Sequence, residues 1–146
     1  MKRVLGIDFG HARIGVAASD ELQMLAFPVE TIANKNTGAV VQRIAQIAKE
    51  KDAETIVVGL PKHMNGELGE SAAAALELVE KLKTATTCTL LTWDERLTTV
   101  AATRALRESG VSARNSRGVV DQVAAQVILQ GYLDRIAAAS PGTSLE

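Results

Sequence analysis

The sequence predicts an α/β fold: a mixed five-stranded sheet, three antiparallel strands followed by parallel ones, with helices on both faces. Three observations carry this. The first third of the chain holds three strand-like apolar runs, joined by turns short enough for hairpins. Hydrophobic spacing then changes to the helical period at Thr37–Lys51. From there strand and helix patterns alternate, and a helical crossover between strands leaves them parallel to their neighbours.

Each element follows from local chemistry. Val4–Phe9 and Arg13–Ser19 are strands separated by the turn Gly10-His11-Ala12. Met24–Ile32 is a third strand, and Pro28 within it places it at a sheet edge, because proline donates no ladder hydrogen bond. Thr37–Lys51 is a helix with Val40, Val41, Ile44, Ile47 and Ala48 on one face. Thr55–Leu60 is a β-branched run suited to a strand covered on both faces. A loop, residues 61–69, leads to a helix of about Glu70–Thr84 with Ala72, Leu76, Val79 and Leu82 inward and an exposed Glu77–Lys81 pair. Thr87–Trp93 is the fifth strand. A helix from about Thr99 to Ser109 stops at Gly110, and a last helix runs from about Arg117 to Ala138, with Ser116 as its N-cap.

Composition bounds the function. A chain of 146 residues predicts one domain, residues 1–139, followed by a frayed tail, residues 140–146, ending in Leu145-Glu146. Aromatics make up only 3%, so the core is built from aliphatic side chains. A net charge of −1 argues against a dedicated polyanion coat, so any nucleic-acid contact needs a local basic patch. The lone Cys88 permits no intramolecular disulfide and reads as a small buried hydrophobe in a reducing compartment. Asp8 cuts the N-terminal apolar run short of a signal segment, and no stretch reaches the roughly 20 apolar residues of a membrane span. A cytoplasmic protein is expected.

Three carboxylates sit where a structural role alone is a poor explanation. Asp8 interrupts a strand, Glu95 follows the end of the fifth strand, and Asp121 heads an otherwise apolar helix stripe of Ala124, Ala125, Ile128 and Tyr132. Alternation puts Leu5, Ile7 and Phe9 on one face of the first strand and Val4, Gly6 and Asp8 on the other, with Gly6 leaving open space beside Asp8. If the first and fifth strands run parallel, Asp8 and Glu95 emerge at one carboxyl-end rim, where open α/β sheets bind ligands. Each acid also has a bland reading: Asp8 as a turn cap, Glu95 as a surface partner of Arg96, Asp121 as a first-turn helix acid. Their joint placement favours function, with Asp94 in a supporting role.

Clustered carboxylates raise one another's proton affinity unless a cation is present. Oxygen donors suit a hard ion, Mg²⁺ or Mn²⁺, and Asp8, Glu95 and Asp121 are the expected metal ligands and catalytic residues. Two such ions about 3.5–4 Å apart can activate water and stabilise the leaving oxygen in phosphoryl displacement, so no histidine base is needed. Arg13, Arg96, Arg114 and Arg117 are candidates for a phosphate clamp, and Lys62, His63 or Asn65 in the middle loop are weaker ones, whose bland reading as solvated loop side chains is favoured. Arg104, Arg107 and Arg135 read as exposed helix charges and His11 as a surface residue. Two histidines and one cysteine make a tetrahedral zinc site a poor fit.

At these residues the chain resembles the YqgF (RuvX) family, described as Holliday junction resolvases and as nucleases maturing the small-subunit ribosomal RNA precursor. The matching segments are GIDFGHARIGVAASD (6–20), VVGLPKHMNGELG (57–69), WDERLTT (93–99) and VDQVAAQVILQGYL (120–133). The resemblance implies an RNase H-like fold and a divalent-metal phosphodiesterase leaving a 5′-phosphate and a 3′-hydroxyl. It also implies that the family's acidic positions fall on Asp8, Glu95 and Asp121. The expected partner is nucleic acid, precursor 16S ribosomal RNA ahead of branched DNA, with cleavage at the precursor's 5′ end.

Two other classes compete. GIDFGHARIGVAASD also looks like the first phosphate loop of actin, sugar-kinase and chaperone ATPases, but 146 residues leave no room for their second domain. A non-catalytic, ribosome-associated RNA-binding protein is the third reading, against which the intact acid trio speaks. A resolvase making two symmetric incisions needs a dimer. The exposed faces offer no clear dimer seam, which predicts a monomer or weak homodimer.

Overall fold

Side-chain alternation in the first strand sets up everything that packs against it. The computed structural model describes residues 2–60, 70–95 and 113–139. Its strands are β1 (Arg3–Phe9), β2 (Arg13–Ser19), β3 (Ala26–Ala33), β4 (Ala53–Leu60) and β5 (Thr89–Asp94). Its helices are α1 (Thr37–Glu50), α2 (Glu70–Ala85) and α3 (Ala113–Ala139). The five strands form one sheet in the order β3-β2-β1-β4-β5. β1 pairs antiparallel with β2 and β2 with β3, while β1–β4 and β4–β5 are parallel. This is the mixed topology expected, with Pro28 on the edge strand.

The two sheet faces carry separate cores. Leu5, Ile7, Ile14, Val16, Ile56 and Val58 pack against Val40, Ile44 and Ile47 of α1 and Leu78 and Leu82 of α2. On the opposite face, Val4, Ala17, Val57 and Trp93 meet Ala125, Ile128, Leu129 and Leu133 of α3. The five residues assigned to the buried face of α1 are the ones that are buried. In α2 the inward face also includes Ala75 and Leu78, while Leu76 is only half-buried. The Glu77–Lys81 pair forms at 3.1 Å.

Several boundaries differ from expectation for identifiable reasons. β3 starts at Ala26 rather than Met24, because the Asp20 carboxylate accepts the Met24 and Leu25 backbone N–H groups at 2.7 and 3.0 Å. That side chain bends the chain into a turn, with Gln23 at a φ of 57°. β5 starts at Thr89 rather than Thr87, since Thr86 Oγ1 accepts the Cys88 N–H. Cys88 therefore precedes the strand, half-buried, with its Sγ 3.2 Å from the Ala53 carbonyl. α3 begins a turn earlier than expected, so Ser116 lies inside the helix and is not its N-cap. The expected helix at 99–109, the loop at 61–69 and the tail at 140–146 lie outside the described residues.

One cap escaped the sequence reading. Asn36, extended at φ −146°, accepts the Ala39 N–H on its side-chain oxygen at 2.9 Å and so starts α1. Asn36→Ala is expected to cost about 1 kcal/mol and lower the melting temperature by a few degrees without touching activity. A thermal melt beside a cleavage assay checks this.

α3 is docked by an amide ladder as well as by its apolar stripe. Gln130 accepts the Ala26 N–H at 2.9 Å and donates to the Met24 carbonyl at 2.9 Å, while Gln126 donates to the Ala26 carbonyl at 2.9 Å. Glutamines one turn apart thus satisfy backbone groups at the start of edge strand β3, where no neighbouring strand does so. The ladder fixes α3 along its length and so fixes where Asp121, near its beginning, comes to rest.

Candidate active site

A row of four residues crosses the sheet on the α3 face. Asp8 in β1 lies in register with Gly15 of β2 and with Gly59 of β4, and Gly59 with Trp93 of β5. Registered neighbours point to the same face, so Asp8 is flanked by two positions without side chains. Those gaps are filled from outside the sheet. A Cβ on Gly15 would run into the Asp121 carbonyl oxygen, so the α3 backbone rests on that glycine. A Cβ on Gly59 would meet Ile128 Cδ1 at 2.7 Å, Glu95 Oε2 at 3.0 Å and Glu95 Cγ at 3.2 Å, so Ile128 of α3 and the Glu95 side chain share the space over that one. Neighbouring strands are about 4.8 Å apart, so the Asp121 backbone and the Glu95 side chain lie on either side of Asp8, each over an adjacent strand.

Gly6 behaves differently from expectation. It does not leave open space beside Asp8, because a Cβ there would meet Leu129 Cβ at 2.6 Å. Its role is to let α3 approach the sheet. The glycines at 6, 15 and 59 are the signal for this arrangement, and it becomes readable only once strand registers are known.

The electrostatics place Asp8 within range of both other acids. The Asp8 carboxyl is pushed up from 3.8 to about 7, first by burial and then by the charges of Glu95 and Asp121. Glu95 is also raised, by burial and then by the neighbouring Asp94. Asp121 is held differently: its Oδ2 accepts a hydrogen bond from Arg13 Nε at 2.6 Å. That pair is partly shielded, with side chains 37% and 20% exposed, so it orients the carboxylate more than it stabilises the fold. Among the described residues, no three or more His, Cys, Asp or Glu side chains are arranged to hold a metal ion. The Asp121 carboxylate is turned to Arg13.

The other candidates divide by position. Arg13 reaches the site. Arg114 and Arg117 lie two turns and one turn before Asp121 along α3. Arg135 is exposed on the far part of that helix, as expected of a surface charge. Lys62, His63, Asn65, Arg96, Arg104 and Arg107 lie outside the described residues. His11 is exposed in the β1–β2 turn. Trp93, in the same row as Asp8, packs edge-on against Tyr132 with ring centroids 6.3 Å apart, closing the apolar side of the site. No helix among the described residues is long and apolar enough to cross a membrane.

This strand order, with an acid on the central strand and a long helix laid over it, defines an RNase H-like fold. Among solved structures, Thermus thermophilus RuvC in complex with a Holliday junction substrate matches with a TM-score of 0.61 at 16% identity, covering 94% of this chain and 97% of that one. A Fowlpox virus resolvase bound to Holliday junction DNA matches with a TM-score of 0.58 at 6% identity, covering 92% and 98%. At such identities the likeness is one of fold. The family model of RuvX, described as Holliday junction resolvase, matches residues 2–135, and the chain belongs to that family. A Mycobacterium tuberculosis (strain H37Rv) protein named as a candidate pre-16S rRNA nuclease is 48% identical over 142 residues, 97% of this chain and 84% of its own. A Clostridium botulinum (strain Eklund 17B) protein of the same name is 45% identical over 134 residues, 92% of this chain and 98% of its own.

Proposed function

We propose that the protein is a divalent-metal-dependent endonuclease that hydrolyses phosphodiester bonds in precursor 16S ribosomal RNA at its 5′ end. The observation that carries this is the row Gly15–Asp8–Gly59, covered by Asp121 on one side and Glu95 on the other. A carboxyl raised to about 7 by burial and two like charges is one that a cation would hold ionised. The donor set is all carboxylate oxygen, which fits Mg²⁺ or Mn²⁺. A bound ion would supply an activated water and charge neutralisation at the leaving oxygen.

In this reading Asp8 and Glu95 are direct ligands and Asp121 completes the set. Arg13 positions Asp121 through its 2.6 Å hydrogen bond, and Arg96, Arg114, Arg117, Lys62 and Asn65 are assigned to the phosphates. Arg13→Ala is expected to lower cleavage roughly 10- to 100-fold while leaving the fold intact, the usual size of effect for a residue that orients a metal ligand. Circular dichroism beside a cleavage time course checks both halves. The names of the Mycobacterium and Clostridium relatives support the ribosomal precursor as substrate. The description of the family model supports a second reading, a resolvase acting on four-way DNA.

The deciding experiment incubates the purified chain and its Asp8→Asn form with precursor 16S rRNA and with a four-way DNA junction, each with Mg²⁺ and with Mn²⁺. RNA cleavage by the unmodified chain alone is expected. Cleavage of the junction only would transfer the assignment to the resolvase, and full activity of Asp8→Asn would remove Asp8 from the mechanism. RNA binding that persists in EDTA, without cleavage under either metal, would favour a non-catalytic binding protein.

A further inference from the structure

A second concavity opens at the same rim as the carboxylates, on the opposite face of the sheet. It has a volume of about 220 Å³ and is walled by the ends of four elements that meet there: Phe9, the β1–β2 turn, the start of α1 and the first turns of α2. At ~30 Å³ per water it is far larger than a solvent site, yet it falls short of the ~300 Å³ at which drug-sized ligands begin. That size suits one planar ring system.

Its chemistry is layered. Ile14, Val40 and Leu78 form a buried apolar floor. Phe9 supplies an aromatic wall, while His11, Asn34 and Glu77 stand at the rim. Asn34 Nδ2 donates to the Gly10 carbonyl at 2.8 Å, which fixes the side-chain amide and leaves its oxygen as the acceptor end. The Glu77 carboxylate adds further acceptor capacity beside Lys81. An apolar floor, an aromatic wall and an acceptor-rich rim match a nucleobase bearing an exocyclic amino group. Unstacked bases are held in this manner, by stacking and by hydrogen bonds along their edges.

We infer that this cavity receives one unstacked base of the nucleic-acid substrate, close to the bond that is cut. The inference rests on the nuclease reading and goes further, since it names how the substrate is gripped. Continuity of the chain supports it: Asp8 and Phe9 are adjacent on β1 with side chains on opposite faces, so a strand crossing this rim passes from carboxylate to cavity within one residue of protein. Positions next to the cut site in the substrate then require a flexible, unpaired nucleotide.

The test uses the full chain and a precursor 16S rRNA fragment carrying a single 6-thioguanosine, with Ca²⁺ replacing Mg²⁺ so that the complex is not cut. Irradiation is expected to cross-link the base to the peptide spanning Phe9–His11 when the modified nucleotide flanks the cut site. Ala74, half-buried in the cavity wall, offers a filling variant. Ala74→Phe should lower RNA affinity about tenfold, the scale of losing one stacked base, and abolish that cross-link. Cross-links confined to other peptides, or unchanged affinity in a folded Ala74→Phe variant, would overturn the cavity assignment while leaving the nuclease reading in place. A wild-type chain that neither binds nor cuts the RNA would overturn both.

Discussion

Asp8→Asn is expected to abolish cleavage, by at least about a thousandfold, and at the same time to stabilise the metal-free protein above pH 7. The two effects share one cause. In the folded chain the Asp8 carboxyl is raised from 3.8 to about 7, chiefly by burial and then by Glu95 and Asp121. In the unfolded chain it titrates near 3.9. Between those values the native state binds the proton more tightly, so native stability falls as pH rises through about 4 to 7 and is level above that window. The accumulated loss at pH 8 is on the order of 4 kcal/mol, and a neutral amide does not incur it. Melting curves of both proteins in EDTA should therefore separate by several degrees at pH 8 and nearly coincide at pH 4. A site kept at the expense of stability is a familiar sign of function. Equal melting temperatures at pH 8 would mean that Asp8 is not under electrostatic strain.

Gly15→Ala should be the most damaging single-methyl change. Its Cβ would overlap the Asp121 carbonyl oxygen and sit 2.5 Å from the Asp121 carbonyl carbon. Both are backbone atoms of a helix fixed by the Gln126 and Gln130 amides, so neither can give way like a side-chain tip. The expected cost is roughly 3 kcal/mol or more, at the top of the range for overpacking. Cleavage should fall further than stability alone dictates, because α3 must shift and carry Asp121 with it. Gly38→Ala is the control. Its Cβ would meet only Asn36 Oδ1, at 3.2 Å, and the gain in helix propensity offsets that contact to within about 1 kcal/mol. Urea melts of the two variants test the comparison.

How much of this the sequence disclosed depends on the range of the interactions involved. Elements governed by spacing were legible: β2 falls on Arg13–Ser19 as expected, and the buried face of α1 is residue for residue the one its period predicts. Pro28 marks the edge strand because a missing N–H is a local property. Boundaries set by a particular side chain were not legible, as with Asp20 bending the chain before Ala26 or Asn36 capping α1. The joint placement of Asp8, Glu95 and Asp121 was legible as an oddity of three acids. The means of bringing them together was not. Nothing in the order of residues says that Gly15 and Gly59 flank Asp8, since that depends on strand registers fixed by the whole sheet. The Arg13–Asp121 pair spans 108 positions, so nothing local distinguishes Arg13 from the other arginines.

A divalent-metal nuclease of this kind needs Asp8 to anchor a cation site at the rim it shares with Glu95 and Asp121. Titration of Mn²⁺ into the purified chain, followed by the loss of the free-ion signal in electron paramagnetic resonance, tests it without reference to any substrate. The expected result is saturable binding that strengthens from pH 6 to pH 8 as Asp8 gives up its proton, and that disappears in Asp8→Asn. Undiminished Mn²⁺ binding by Asp8→Asn, or no binding by the unmodified chain at pH 8, would mean that Asp8 holds no such ion.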